Sequence, residues 1–212
     1  MKVTVCQIDP RRDRLEAELA ALAAHVRAAD SDFLLLPEMC FSDWLAADPQ
    51  PDPAAWQQAV EDHEGHITRM YALGAQAVMG TRPIVNAAGS RRNQAYVWDR
   101  DGGQATGVHE KYYLPDEEGY WEHSWYDRGP KRFDLARALG LRIGVQICTE
   151  MWFFEWARHY AAARADLLCV PRATPHGSTD KWLAGGQASA VCSGAYGLSS
   201  NLWCPPGEAA NC

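Results

Sequence analysis

Residues Leu141 to Ala157 read LRIGVQICTEMWFFEWA. The first seven form a short apolar run that predicts a strand over 141–147. The acidic and aromatic residues after it predict a helix over 151–164. Cys148 therefore stands at a strand-to-helix junction. In open α/β sheets the carboxyl ends of strands are where sites gather. A thiol just ahead of a helix N-terminus is expected to favour its thiolate, through the dipole and the free N–H groups.

The same pattern, a strand ending on a reactive side chain, occurs twice more. FLLLP (33–37) is followed by Glu38, and the strand reaching Val108-His109-Glu110 is followed by Lys111. Together the three make a working set. Glu38 would take the thiol proton and pass it to a leaving amine. Lys111 would hold the negative oxygen of a tetrahedral intermediate, with the Thr149 backbone N–H as a second donor. The corresponding chemistry is acyl transfer at a carbon–nitrogen bond. Singly, each residue has an ordinary reading: a buried structural cysteine, a capping or solvated glutamate, and a Glu110–Lys111 surface pair.

Outward from these points, Lys2–Asp9 reads as one strand. A helix then runs from about Asp13 to Ala29, with Leu15, Leu19, Leu22 and Val26 on one face. A helix over 54–73 and strands over 76–82, 93–99 and 104–111 come next. Residues 115–130 have no period and are expected to form a long ordered loop. A strand over 166–170 and a helix over 181–193 complete the pattern. Alternation interrupted by a run of strands favours a mixed α/β sandwich over a doubly wound sheet.

The 212 residues are expected to form one domain. A net charge of -7 argues against nucleic acid or an anionic membrane as partner. No apolar run is long enough to cross a bilayer, and Asp9, Arg11, Arg12 and Asp13 interrupt any secretory h-region. Seven cysteines without a C-x-x-C support neither a disulfide framework nor a zinc ribbon, so a reducing cytoplasm is the expected location. His63-Glu64-Gly65-His66 is not H-E-x-x-H, and no metal is expected.

LLLPEMCFSDW (34–44), HEKYYLPDEEGYWE (109–122) and GVQICTEMWFFEWAR (144–158) resemble, in order, the three motifs of the nitrilase superfamily, the carbon–nitrogen hydrolases. The resemblance runs from VTVCQIDP to YGLSSN. The segment PRATPHGSTDKWLAGGQASAVCSGAYGLSSN is also similar to amidase-like and N-carbamoyl hydrolase-like members. The resemblance implies an α/β fold of α+β type, a four-layer α-β-β-α sandwich, and a Glu38–Lys111–Cys148 triad. It implies a second glutamate that orients Lys111 and contacts the substrate nitrogen. Glu122 matches best and Glu118 is the neighbouring candidate. It further implies a thioester intermediate, no metal or organic cofactor, and a homodimer or higher homo-oligomer.

Nitrile-cleaving members commonly show Cys-Trp-Glu, whereas this chain has Cys-Thr-Glu. Hydrolases of N-carbamoyl amino acids often carry arginines just after the cysteine, where this chain has Met151 and Trp152. A small neutral amide or N-carbamoyl amine is therefore the expected substrate, with nitrile hydrolysis as the alternative. Tyr112, Thr149, Trp152 and Arg172 are the candidate substrate contacts, and Arg172 reads equally as part of a structural ion pair. A Cys/His hydrolase using His109 or His176, and an inactive protein that only binds, are the competing classes. The last is suggested by residues 202–212, LWCPPGEAANC, which depart from the family. They are expected to form an irregular tail beside an unfinished second sheet, leaving the protein prone to self-association.

Overall fold

Alternating side chains, apolar on both faces of several strands, require a sheet covered on both sides. A computed structural model describes residues 1–203 and shows how that covering is achieved. The first sheet has strand order β1-β3-β4-β5-β6. Its strands are β1 (Val3–Val5), β3 (Phe33–Leu35), β4 (Ala77–Val85), β5 (Arg91–Asp99) and β6 (Gln104–Glu110). The second runs β2-β10-β9-β8-β7, built from β2 (Gln7–Ile8), β7 (Ala136–Ala138), β8 (Leu141–Val145), β9 (Leu167–Arg172) and β10 (Tyr196–Leu202). The helices are α1 (Leu15–Ala29), α2 (Pro53–Ile67), α3 (Glu122–Trp125), α4 (Phe154–Ala162) and α5 (Thr179–Ser193).

Strand alternation sorts the core into layers. Phe33, Leu35, Met79 and Val97 of the first sheet pack with Ile143, Val145, Leu167 and Cys169 of the second. Leu34, Val78 and Trp98 point the other way, onto Leu19, Leu22 and Val26 of α1. On the far side, Leu168 and Val170 of β9 meet Ala157 and Tyr160 of α4. The result is helix, sheet, sheet, helix, the mixed α/β sandwich that the resemblance implies.

Three expectations change. Lys2–Asp9 is not one strand: β1 pairs with β3, while β2 pairs with β10 in the other sheet. The chain crosses at Cys6, whose N–H donates to Ser200 Oγ (3.1 Å) while Ser200 Oγ–H donates to the Leu35 carbonyl (2.6 Å). The helix over 54–73 ends at Ile67, and a 3₁₀ turn covers Met70–Leu73. Strands β7 and β10 are additions to the expected set. β10 lies inside its sheet, parallel to both β2 and β9, so the second sheet has five strands, as does the first. Leu202 closes β10, and the expected tail from 204 onward lies outside the described residues. Among the described residues no helix is long and apolar enough to cross a membrane.

Candidate active site

Pro37 ends the apolar run of β3, and the backbone then turns sharply. The Glu38 N–H donates to the Arg172 carbonyl (3.2 Å), the Met39 N–H donates to Thr81 Oγ1 (2.8 Å), and Met39 has a φ of 45°. This turn drives Glu38 inward until it is wholly buried. Its Oε1 accepts from Asn93 Nδ2 and from Lys111 Nζ, each at 2.7 Å. Its Oε2 is buried with no hydrogen-bond partner among the described residues.

Lys111 leaves β6 with its N–H on the Asn93 carbonyl (2.9 Å), so Asn93 fixes both the lysine backbone and the Glu38 carboxylate. Lys111 Nζ also donates to the Glu122 carboxylate at 2.7 Å. Glu122 opens α3, a single turn inside the long loop, which Trp125 anchors against Met39 and Trp56. Glu118 is exposed, so Glu122 is the glutamate that meets the lysine. Glu110 does not pair with Lys111; it faces Arg92 at 3.2 Å.

Burial alone would strip the proton from Lys111, but Glu122 and Glu38 more than reverse this and hold its pKa above the ordinary lysine value. Burial pushes the Glu122 carboxyl up to about 7, against the pull of Lys111 and with help from the Glu38 charge. The Tyr126 hydroxyl lies against Glu122 and Asn93, and burial and the Glu122 charge push its pKa well up.

Cys148 is 3% exposed and adopts a φ of 49°, a left-handed conformation that costs roughly 1–3 kcal/mol for a residue with a Cβ. The chain enters not α4 but a 3₁₀ turn over Cys148–Trp152, with α4 starting at Phe154. The thiol is thus not at a helix N-terminus, and the expected resting thiolate does not hold. Burial and the Glu38 charge push its pKa up, while the Lys111 charge and the Ala173 backbone N–H oppose them. Burial raises Cys40 and Cys169 in the same way. Cys148 differs from them in its strained backbone and in the cation beside it.

Glu150 ties the lysine and cysteine segments together. Wholly buried, its Oε2 accepts from the Ile147 N–H (2.8 Å) and from His109 Nε2 (2.7 Å), and its Oε1 accepts from the Tyr112 N–H (2.8 Å). One carboxylate therefore holds the residue before Cys148 and residues on both sides of Lys111 in the chain.

The other sequence-derived candidates surround this cluster. Thr149 is half-buried directly after Cys148. The Tyr112 ring lies under Arg128 and Lys131, at 5.7 and 5.4 Å. The Trp152 ring lies 4.8 Å from that of Trp182. Arg172 is in no ion pair among the described residues; it sits 5.0 Å over Trp182. Neither histidine of the competing Cys/His reading meets Cys148: His109 is committed to Glu150 and the Arg132 carbonyl, and His176 is not buried, lying on the 3₁₀ turn His176–Ser178. Asn93, Tyr126 and Glu150 escaped the sequence reading. The available signals were the amides Asn93 and Gln94 in the strand RRNQAYVWD and the acid in Cys-Thr-Glu. Among the described residues no group of three or more His, Cys, Asp or Glu is placed to hold a metal ion.

A model of the carbon-nitrogen hydrolase family matches residues 2–207. A citrullinase of Francisella tularensis is 33% identical over 96% of this chain and 74% of its own. A glutamine-dependent NAD(+) synthetase of Rhodobacter capsulatus is 30% identical over 82% of this chain but 31% of its own. An N-carbamoylputrescine amidase of Solanum lycopersicum is 27% identical, over 79% of this chain and 55% of its own. The chain thus spans less than two thirds of the length of the synthetase and of the amidase. In structure it resembles a carbon-nitrogen hydrolase from Helicobacter pylori G27, with TM-score 0.76 at 20% identity over 94% of this chain and 72% of that one. It also resembles the amidase of Nesterenkonia sp. AN1 carrying the acetamide moiety of fluoroacetamide covalently at its active-site cysteine. That match has TM-score 0.71 at 22% identity, covering 100% of this chain and 77% of the other. These likenesses show the fold.

Proposed function

The chain belongs to the carbon-nitrogen hydrolase family, and from that premise we propose that it hydrolyses the non-peptide carbon–nitrogen bond of a small amide or N-carbamoyl amine through a thioester on Cys148. One observation carries the reading. Glu38 is buried with Oε1 doubly hydrogen-bonded and Oε2 without a partner among the described residues, beside a cysteine whose thiol its charge bears on. A buried, unpartnered carboxylate oxygen is costly in a fold that gains nothing from it. Here it is the acceptor that a protonated nucleophile requires.

In this mechanism Glu38 Oε2 takes the Cys148 thiol proton as sulfur attacks the carbonyl carbon. The oxyanion forms against the Lys111 ammonium and the Thr149 N–H. Glu38 returns the proton to the nitrogen as the C–N bond breaks, leaving an acyl or carbamoyl thioester and free amine. A water then gives a proton to Glu38 as it attacks the thioester carbon. Glu38 returns that proton to sulfur as the C–S bond breaks, releasing the acid and restoring the thiol. Glu122 keeps Lys111 charged and faces the leaving nitrogen. No step needs a metal or an organic cofactor. The citrullinase and the N-carbamoylputrescine amidase support a ureide as substrate, citrulline being itself a ureide. Self-association belongs to the same reading, supported by Leu183, Val191 and Tyr196, which are 58, 83 and 80% exposed.

The test is kcat/KM across amides, N-carbamoyl amines and nitriles of matched size. Ureides or amides should lead, and a preference for nitriles would reverse the assignment.

A further inference from the structure

Arg172 ends β9 within the cluster just described. Its carbonyl accepts the Glu38 N–H (3.2 Å), so its backbone holds the turn that carries Glu38. Its guanidinium is held rigidly. Nε donates to Ser199 Oγ (2.7 Å) and Nη1 to Thr174 Oγ1 (2.6 Å). Both hydroxyls donate elsewhere, Ser199 to the Val170 carbonyl and Thr174 to Asn201 Oδ1, so their lone pairs are already turned to the arginine. The face of the guanidinium lies 5.0 Å over the Trp182 ring.

Of the described carboxylates, Glu38 bears on the guanidinium through its charge alone. Among the described residues it has no carboxylate partner, and Nη2 has no protein acceptor. A half-buried arginine fixed by neutral groups, with one edge unfilled, is a preorganised receptor for a planar oxyanion. Beside it the Trp182 and Trp152 rings lie 4.8 Å apart, and Trp152 is 38% exposed.

We propose that Arg172 receives a carboxylate on the substrate, so that the substrate class is an N-carbamoyl or amide compound bearing an acid group remote from the bond that breaks. This deepens the hydrolase reading and rests on it. It also amends the expectation drawn from Met151 and Trp152: the cation absent after the nucleophile is supplied from β9 instead.

Two measurements test it. Two ureides of equal chain length are compared, one ending in a carboxylate and one in a methyl group. The parent should favour the acid in kcat/KM by about 10- to 100-fold, the range for charge-assisted hydrogen bonds. Arg172→Met, which keeps the packing on Trp182, should erase that preference chiefly through KM, lowering kcat/KM for the acid at least about tenfold more than for the methyl ureide. Arg172→Lys should restore part of it. Equal losses on both ureides, or a parent preference for the methyl compound, would overturn the proposal. The second measurement is calorimetric binding of the same acid to Cys148→Ala, with and without Arg172→Met. Weakening by about tenfold or more is expected, and unchanged affinity overturns the proposal. If the parent cleaves neither ureide while the acid still binds through Arg172, the hydrolase reading falls and the receptor stands.

Discussion

Replacing Glu150 should damage stability and turnover together, because its carboxylate holds both reactive segments. Glu150→Gln keeps the shape but turns one acceptor into a donor. If the amide nitrogen takes the Oε1 position, it meets the Tyr112 N–H; at Oε2 it meets the Ile147 N–H. His109 can change tautomer and accept, but a backbone N–H cannot, so one buried donor is left unpaired in either orientation. That costs about 1–3 kcal/mol. Glu150→Ala orphans both backbone donors and the imidazole, for about 3–5 kcal/mol as these losses overlap. The strained Cys148 turn then relaxes, and kcat should fall by about 10²-fold, the scale of a displacement of roughly 1 Å, while KM changes little. Urea denaturation of parent, Gln and Ala proteins gives the stabilities, and steady-state kinetics on the best ureide gives the rest. A Gln variant within about 0.5 kcal/mol of the parent, with kcat intact, would show that Glu150 braces nothing.

Other outcomes rest on the same contacts. Lys111→Met should lower kcat by about 10²-fold or more, the effect of one lost oxyanion donor; retained turnover would remove the lysine from the mechanism. Gly144→Ala places a Cβ 2.7 Å from the Tyr160 ring, which the Tyr160 hydroxyl pins by donating to the Val145 carbonyl (2.8 Å). The overpacking should destabilise by about 1–3 kcal/mol in a thermal or urea melt, and a neutral result would mean the ring can swing clear. Burial alone would lower the His109 pKa, but the Glu150 charge and hydrogen bond raise it overall. Its contribution to stability is therefore complete below the free-histidine value of about 6.5 and lost as pH rises through the raised folded value. Urea midpoints of the parent should decline across that window more steeply than those of His109→Gln; parallel curves would count against the charged pair.

Glu38, Lys111 and Cys148 were legible because each lies within three residues of a strand's carboxyl end, and strand ends converge when sheets stack. Glu122 was only half legible: nothing in PDEEGYWE says which acid turns inward, and it took the short α3, anchored by Trp125, to separate it from exposed Glu118. Asn93 hid in β5 because alternation marks a face and says nothing of a polar side chain buried against a carboxylate. β10 was missed for a related reason, since Ser200 is buried to join the sheets through Leu35 and Cys6 and so interrupts the apolar pattern. The reading of Cys148 as a thiolate assumed a helix directly after it. A local hydrogen-bond choice, the Glu150 carboxylate on the Ile147 N–H, makes a 3₁₀ turn there instead.

The thioester on Cys148 is the centre of the account, and intact-mass analysis after rapid acid quench of a substrate-mixed sample observes it directly. The protein should gain the mass of the substrate's acyl or carbamoyl group, peptide mapping should place it on Cys148, and Cys148→Ala should gain nothing. Turnover of the same substrate without any adduct, or an adduct on another residue, would contradict it.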